Sequence, residues 1–526
     1  MAKSREELIK ELLANPDKLK SKKPFTRGAK RENASPMAGK PVGIGEMVEV
    51  SAPRVKRKVV TQEQFLRELD PACHDVLFNE NLPSICVKIA DDDYREITFD
   101  RVALPFQRLI KDVQVIYLTA HDMQFTLIDL EPTEKQQESF VTFKQYWAKR
   151  NQDGMKNKMV DAQKSMGDAG LLYYFDYNDR IKSRLLTFAD GYVLCPHNDQ
   201  NGDRLLESVY YVKTEYVDGE ERTVEYIDSY DDKYMYRHTR NLWEGLDDTG
   251  WVLQEPELHG FEEIPLITKR GNVAWNDVPT IINTYEEQYN IFQAIQRRFG
   301  WGILYIKGKF KDTAKKIAGN VVLNDTTPQG DGDAKFLAPP SPDGMIETLK
   351  ELMKSMMLGS STTFVLPDDI KVSGDVSGLA VQLTKELDIL NAEQAVIEWQ
   401  NVADKMTRLF KYGLAKELVK TGENATAITD FEELNISSHF KVWRPFNEYE
   451  YNQMIATLKG ANIISQETAI EVNTISKPDE KLRVRKEVEE AEQKAIENQE
   501  RQLEIANKKA ENEESKQSSN NNKEEK

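Results

Sequence analysis

Two runs of carboxylates are the residues of this chain that could do chemistry: Asp91, Asp92 and Asp93, and then Asp228, Asp231 and Asp232. Carboxylates this close can hold divalent cations, and a pair of such ions clamps the attacking and leaving oxygens when a nucleic-acid enzyme cuts a phosphodiester. Both runs, however, stand in turn-like text, where acidic clusters are commonly solvated. Cys73 with His74 and Cys195 with His197 offer ligand types without the spacing of a four-ligand zinc site. With Cys86 the cysteines number three, an odd and scattered set that writes no disulfide framework. The chain contains neither GxxxxGK[ST] nor HExxH, and no nucleophile with a paired base stands out. The expectation is a protein without a catalytic site, metal or cofactor. A metal-dependent nucleic-acid enzyme is the rival reading.

Charge concentrates differently in GSSTTFVLPDDIKVSGDVSG, residues 359–378, where Asp368, Asp369 and Asp375 outnumber Lys371 and follow Phe364. Glycines at 359, 374 and 378 give this loop backbone freedom. The loop runs into a helical pattern, residues 379–420, with Leu379, Leu383, Leu387 and Leu390 and then Trp399, Val402, Met406 and Phe410 on one face, and no proline. Fully helical, it would span about 60 Å at 1.5 Å per residue. That length must cross between domains or subunits.

The elements around it follow from composition and periodicity. The chain has 526 residues, 39% of them hydrophobic, enough for several cores. Its net charge of −17 argues against a protein that coats nucleic acid through clustered Lys and Arg. No apolar run approaches a membrane span, and the opening MAKSREELIKELL lacks the apolar segment of a secretory signal, so the expected setting is cytosolic. Residues 1–58 are rich in Lys and Arg, with Leu8, Leu12 and Leu13 as their short apolar pattern, and read as a basic, largely disordered arm.

Thr133 and Gln136 have capping-box spacing, and Phe140, Phe143 and Trp147 would line the helix they open. A helical run over 155–166 is followed by LLYYFDY, RLLTF, GYVLC, SVYYVKTEYV, RTVEYIDSY and KYMYRH, an antiparallel, tyrosine-rich sheet. Asp277 and Pro279 start a helix carrying Ile281, Tyr285 and Phe292 on one side. GILYIKGKF and NVVLND then form a small β-module with Lys307, Lys309, Lys311, Lys315 and Lys316. Ser341 or Asp343 opens a second helix with Met345, Leu349 and Met356 on one face. The two stripes are of a kind that a slender pair of helices buries mainly against neighbouring copies. The text from 477 to 526 is mixed charge, read as a partly helical, partly disordered tail.

This order of parts resembles the portal proteins of tailed bacteriophages, particularly those of long-tailed phages. The resemblance rests on an ordered set of local patterns: GDAGLLYYFDYNDRI at 167–181, EIPLITKRGN before the first of the two helices, VSGLAVQL at 376–383, FKVWRPFNEYE, and IISQETAIEV. It implies an α+β subunit with a wing at 59–276, stem helices at 277–300 and 342–358, a clip at 301–341, a tunnel loop at 359–378 and a tunnel helix at 379–420. A wing-returning strand region at 421–446 and a crown-like helical region at 447–476 complete it. The resemblance further implies a homo-oligomeric ring, usually a dodecamer, at one capsid vertex of the virion, built in the host cytoplasm. Duplex DNA passes through such a ring during packaging and ejection. Its implied partners are the terminase large subunit, major capsid and scaffolding proteins, and head-completion or tail-adaptor proteins, with no membrane. The clip lysines would meet terminase and adaptor, and Phe364 to Val376 would narrow the channel. A structural ring from outside phages is the second alternative. The long basic arm and the polar C-terminal text depart from the family's pattern.

Overall fold

The computed structural model describes residues 4–31, 55–82, 85–90, 93–97, 100–129, 131–217, 220–242, 250–299, 303–307, 322–325, 333–337, 341–363, 385–444 and 448–472, with most positions from 483 to 502. They fall into two compact units, the first holding everything described up to Arg444 and the second everything from 448 onward. The fold class is α+β, as expected.

The basic arm is the first departure from the sequence reading, because residues 4–31 are ordered. Ser4 opens α1 (Arg5–Leu13) with a full capping box, its hydroxyl accepting from Glu7 N while the Glu7 carboxylate accepts from Ser4 N. Asn15 caps α2 (Pro16–Leu19), whose first residue is the proline that suits that position. Ile9, Leu13 and Leu19 are buried against Leu205, Leu206 and Ile227 of the tyrosine-rich sheet. That apolar face outweighs the charge that made the segment look solvated. The arm continues as β1 (Phe25–Arg31), antiparallel to β2 (Val55–Val60), and Thr61 then caps α3 (Gln62–Leu69).

After a hairpin of β3 (Ile85–Ala90) and β4 (Asp93–Ile97) come α4 (Phe106–Thr119), β5 (Gln124–Leu127), α5 (Glu134–Lys149) and α6 (Gln152–Met166). The capping box of Thr133 and Gln136 opens α5 as the sequence predicts, and Phe143 and Trp147 are fully buried. Helix α6 ends at Gly167 with φ +83°, a left-handed stop where a side chain would also strike the Phe25 ring 2.6 Å away.

The strands β6 (Asp168–Phe175) and β7 (Ile181–Leu186) form a sheet completed by β14 (Leu266–Arg270), in the order β14-β6-β7. Between them run β8 (Val193–Asn198), β9 (Arg204–Val217), β10 (Glu220–Tyr230), β11 (Tyr234–Asn241), β12 (Val252–Leu253) and β13 (Glu257–Leu258), an antiparallel meander in which β12 and β13 both pair with β11. The meander is tyrosine-rich as expected, but LLYYFDY and RLLTF, read as strands of the same sheet, stand apart from it in β6 and β7.

Helix α7 (Pro279–Phe299) leads to β15 (Ile303–Lys307), β16 (Val322–Asp325) and β17 (Asp333–Leu337), ordered β16-β15-β17, and α8 (Asp343–Ser360) follows. The long helix is α9 (Glu386–Thr421), 36 residues or about 54 Å. It does not bridge empty space. Trp399, Val402, Met406, Phe410 and Leu414 run through the middle of the main core, with Phe410 edge-on to Phe143 and Trp147. At Gly413 the helix touches β7 so closely that a Cβ would lie 2.1 Å from Ile181 Cδ1. The first unit closes with α10 (Ala427–Glu432) and β18 (Ile436–His439), which pairs with β5. The second contains α11 (Glu448–Gly460), α12 (Gln466–Val472) and helical turns between 483 and 502.

Candidate functional site

The residues first in line for chemistry are occupied with structure. Asp228 accepts both nitrogens of Arg237, at 2.7 and 3.0 Å, and the Tyr211 hydroxyl at 3.0 Å. Asp231 closes the turn before β11 by accepting from Lys233 N, Tyr234 N and the Tyr236 hydroxyl. Asp232 pairs with Arg5 of the arm. Asp91 and Asp92 lie outside the described residues, and Asp93 begins β4. The Cys–His pairs turn away from each other's chemistry, since His74 binds Glu286 and His197 donates to Leu19 O at 3.0 Å. Burial pushes the Cys195 thiol up to about 11, so it stays protonated. Among the described residues no three metal-ligating side chains converge.

What remains is the assembly of α7, the β-module, α8, the excursion 364–384 and α9. Helices α7 and α8 pack through Ile282, Tyr285, Leu349 and Met356, which share a core with Phe65 of α3, Ile110 of α4 and Trp275. Of the six residues expected to meet neighbouring copies, Tyr285, Leu349 and Met356 are thus buried within the chain, while Ile281 and Phe292 are half-buried against the same cluster and Met345 is half-buried. A polar anchor sets the position of α7. Glu286 accepts from His74 Nδ1 at 2.8 Å and from Leu104 N at 2.7 Å, and Asn290 exchanges hydrogen bonds with both backbone groups of Val102. The other His74 nitrogen faces Glu68 O at 2.9 Å. Both ring nitrogens face acceptors, so both must donate and His74 is an imidazolium. Burial alone would lower its pKa, but the Glu286 hydrogen bond and charge outweigh that and raise it.

Glu68 ties three elements together, taking Trp275 Nε1 at 2.7 Å and Arg27 of the arm at 2.7 and 2.8 Å beside its place on α3.

The excursion itself is clamped at its base. Thr363 N donates to Asp388 Oδ1 at 2.8 Å, and Lys385 Nζ donates to Thr363 O at 2.8 Å. The chain therefore leaves α8 and enters α9 at the same point. Gln114 of α4 fastens the α8 side, its amide lying 3.0 Å from Ser360 O and 3.2 Å from Thr362 Oγ1. Asp388 is 4% exposed, a depth at which a carboxylate needs these partners. Phe364, Asp368, Asp369, Lys371 and Asp375 all lie outside the described residues. So do Lys309, Lys311, Lys315 and Lys316, while Lys307 closes β15 opposite Asp325 and Asp333. Sequence reasoning missed the clamp, because Asp388 stands in an ordinary helical pattern and its partners are 25 and 3 residues away.

Among the described residues this arrangement gathers no set of catalytic or metal-ligating side chains; it ties the two ends of segment 364–384 together and sets a three-stranded β-module between α7 and α8 in the chain. Residues 71–502 match a family model described as phage portal protein, SPP1 Gp6-like. No curated protein matches the chain.

Proposed function

The chain belongs to the SPP1 Gp6-like family of phage portal proteins, and from that premise we propose that it forms a closed ring at one capsid vertex whose channel passes duplex DNA during packaging and ejection. The observation that carries the reading is the clamped base of 364–384 between α8 and α9. With Thr363, Lys385 and Asp388 tied together, segment 364–384 starts and ends at the same point of every copy, so a ring sets these points on one circle. In this reading Asp368, Asp369 and Asp375 give that circle an acidic face that repels phosphates and keeps the path slippery, without reading bases. The helix pair α7 and α8 is the stem, and the β-module between them is the clip, whose lysines dock terminase and later the head-completion adaptor. Wing, crown-like and tail regions take the boundaries set out from the sequence. Capsid and scaffolding proteins are the partners of the outer surface, and the virion is the final location.

Images of the purified protein viewed down the symmetry axis test the ring directly. Closed rings with an opening wide enough for duplex DNA are the expected result, with assembly rising with concentration. Monomer at all concentrations, with scaffold or capsid protein present, overturns the reading. Replacing Asp368 and Asp369 with lysine should leave ring assembly intact and impair packaging or retention of DNA, and wild-type packaging by that variant removes the loop from the channel. Glutamate at several of the clip lysines should weaken terminase binding at fixed salt without unfolding the ring.

A further inference from the structure

One concentration of charge is left without a role by this reading. Between β6, β14, the facing ends of β8 and β9, and α9 lies a cleft of 290 Å³ lined among others by Asp168, Arg204, Lys269, Arg270, Glu398 and Asn401. Its cations are not fully used. Arg204 spends Nε on Glu207 Oε1 at 3.0 Å, and its two terminal nitrogens make no hydrogen bond among the described residues. Arg270 donates one terminal nitrogen to Lys23 O and lays its guanidinium 4.1 Å over the Phe25 ring, leaving the rest of its fork unspent. Lys269 Nζ donates to Glu398 O at 2.8 Å, with the exposed Glu398 carboxylate 3.9 Å away and the Trp399 ring centroid at 5.7 Å. Apart from the exposed Glu398, the nearby acids already have partners. Asp168 is taken by Lys22 and Gln62, and Glu207 by Thr268 and Arg204.

Lys405 of α9 stands behind the cleft on Leu266 O. The cleft is lined by Arg204, Lys269 and Arg270 against Asp168 and Glu398, an excess of one positive charge in a chain of net charge −17. Burial holds Lys405 and Lys22 below their ordinary pKa; Glu207 and Glu263 oppose this at Lys405 and Asp168 at Lys22, and the neighbouring arginines add a smaller lowering.

We propose that this cleft is a binding site for a phosphate oxyanion, held by Arg204, Arg270 and Lys269. Guanidinium forks match phosphate oxygens in geometry, and an anion neutralises the positive excess of the lining. The phosphate is either free, inorganic or on a nucleotide, or part of a DNA backbone. The site stands on one copy of the chain and does not depend on ring formation.

Calorimetric titration of the full-length protein with inorganic phosphate, and separately with a short duplex, against chloride at matched ionic strength tests it. We expect one saturable phosphate per chain, weakened about tenfold or more by Arg204→Gln and by Lys269→Gln, the loss typical of a charge-assisted hydrogen bond. Arg204→Gln also removes a partner of buried Glu207, so Lys269→Gln, with a melting temperature kept near wild type, is the cleaner variant. Duplex that competes with phosphate and is weakened by the same variants assigns the site to a DNA backbone. Duplex that does neither assigns it to free phosphate. Absence of saturable binding in both arms, or binding indifferent to both variants, overturns the proposal.

Discussion

The two ends of this chain are both charged and polar, yet one is built into the fold and the other stands in solvent. Residues 4–31 bury Ile9, Leu13 and Leu19 to 8% exposure or less and attach themselves by side chains to three separate parts of the first unit. Of the described apolar residues between 483 and 502 none is fully buried: Val484 is half-buried, Val488 is 41% exposed and Ile496 56%. What separates them is the density of apolar residues on one face. Leu8, Ile9, Leu12 and Leu13 fall within two turns of α1, whereas Val484, Val488 and Ile496 are spread thinly among charges. Net charge said little about which end folds.

The strongest test of that difference puts a charge into each apolar position. Leu19→Asp should cost more than about 4 kcal/mol if the arm stays docked, since a buried unpaired carboxylate is among the few changes of that size. Detachment of the arm caps the loss at its docking free energy. The measured result should then be a lowered melting temperature together with new protease cleavage between residues 4 and 31. Ile496→Asp should change neither. Equal effects at the two ends would erase the distinction.

A smaller effect is expected at the polar attachments. Arg27 and Glu68 form a pair whose side chains are 10% and 19% exposed, and Arg27 has two further buried nitrogens with no partner. Arg27→Ala should cost about 2–3 kcal/mol in chemical denaturation, because Glu68 keeps Trp275 but loses its cation. Arg27→Met, which fills the space without a charge, should cost less. A loss no greater than that of a surface substitution would mean that Phe25 and the leucines hold the arm alone.

The contrast also shows what the sequence displays and what it hides. Local signals were legible: the capping box at Thr133, the proline start of α7, the strand texture from 170 to 241, and the helix–β-module–helix order that carried the resemblance to portal proteins. The arm was misread although Leu8, Leu12 and Leu13 were seen, because its partners Leu205, Leu206 and Ile227 lie about 200 residues away. The clamp at Asp388, the His74–Glu286 anchor and the cation cleft are long-range in the same way. Periodicity reports which face of an element is apolar, and nothing in it names the surface that covers that face.

Proton linkage sharpens the comparison with effects of opposite sign. His197 and His238 donate to Leu19 O and Leu13 O of the arm, and burial holds both below their ordinary pKa. Arg204 faces His197 and lowers it further. With the arm released, these two sheet histidines take up protons that they refuse while it is docked, so docking weakens as pH falls below about 6.5. His74 behaves in reverse. Its raised pKa gives stability that is complete below about 6.5 and is lost as pH rises through the folded value. Hydrogen exchange should show faster exchange of arm amides near pH 5.5 than at pH 7, after correction for intrinsic rates, and looser protection of α7 at alkaline pH. Arm protection independent of pH would remove the two histidines from the attachment.

The smallest effect is expected within the tail itself. Arg483 precedes Glu487 and Lys486 precedes Glu490 at four-residue spacing, with the cation nearer the helix N-terminus. That is the weaker order, because each charge then lies on the wrong side of the helix dipole. Exchanging Arg483 with Glu487, and Lys486 with Glu490, should add about 0.2–0.5 kcal/mol per pair at low salt and nothing at 1 M salt. The readout is the helix content of a peptide covering residues 477–510, which has no tertiary packing to mask a change of this size. The same exchanges in the full-length protein should leave its melting temperature unchanged, since these turns bury no apolar partner. A shift of several degrees would mean that the tail, like the arm, has a surface to lie on, supplied by another copy of the chain.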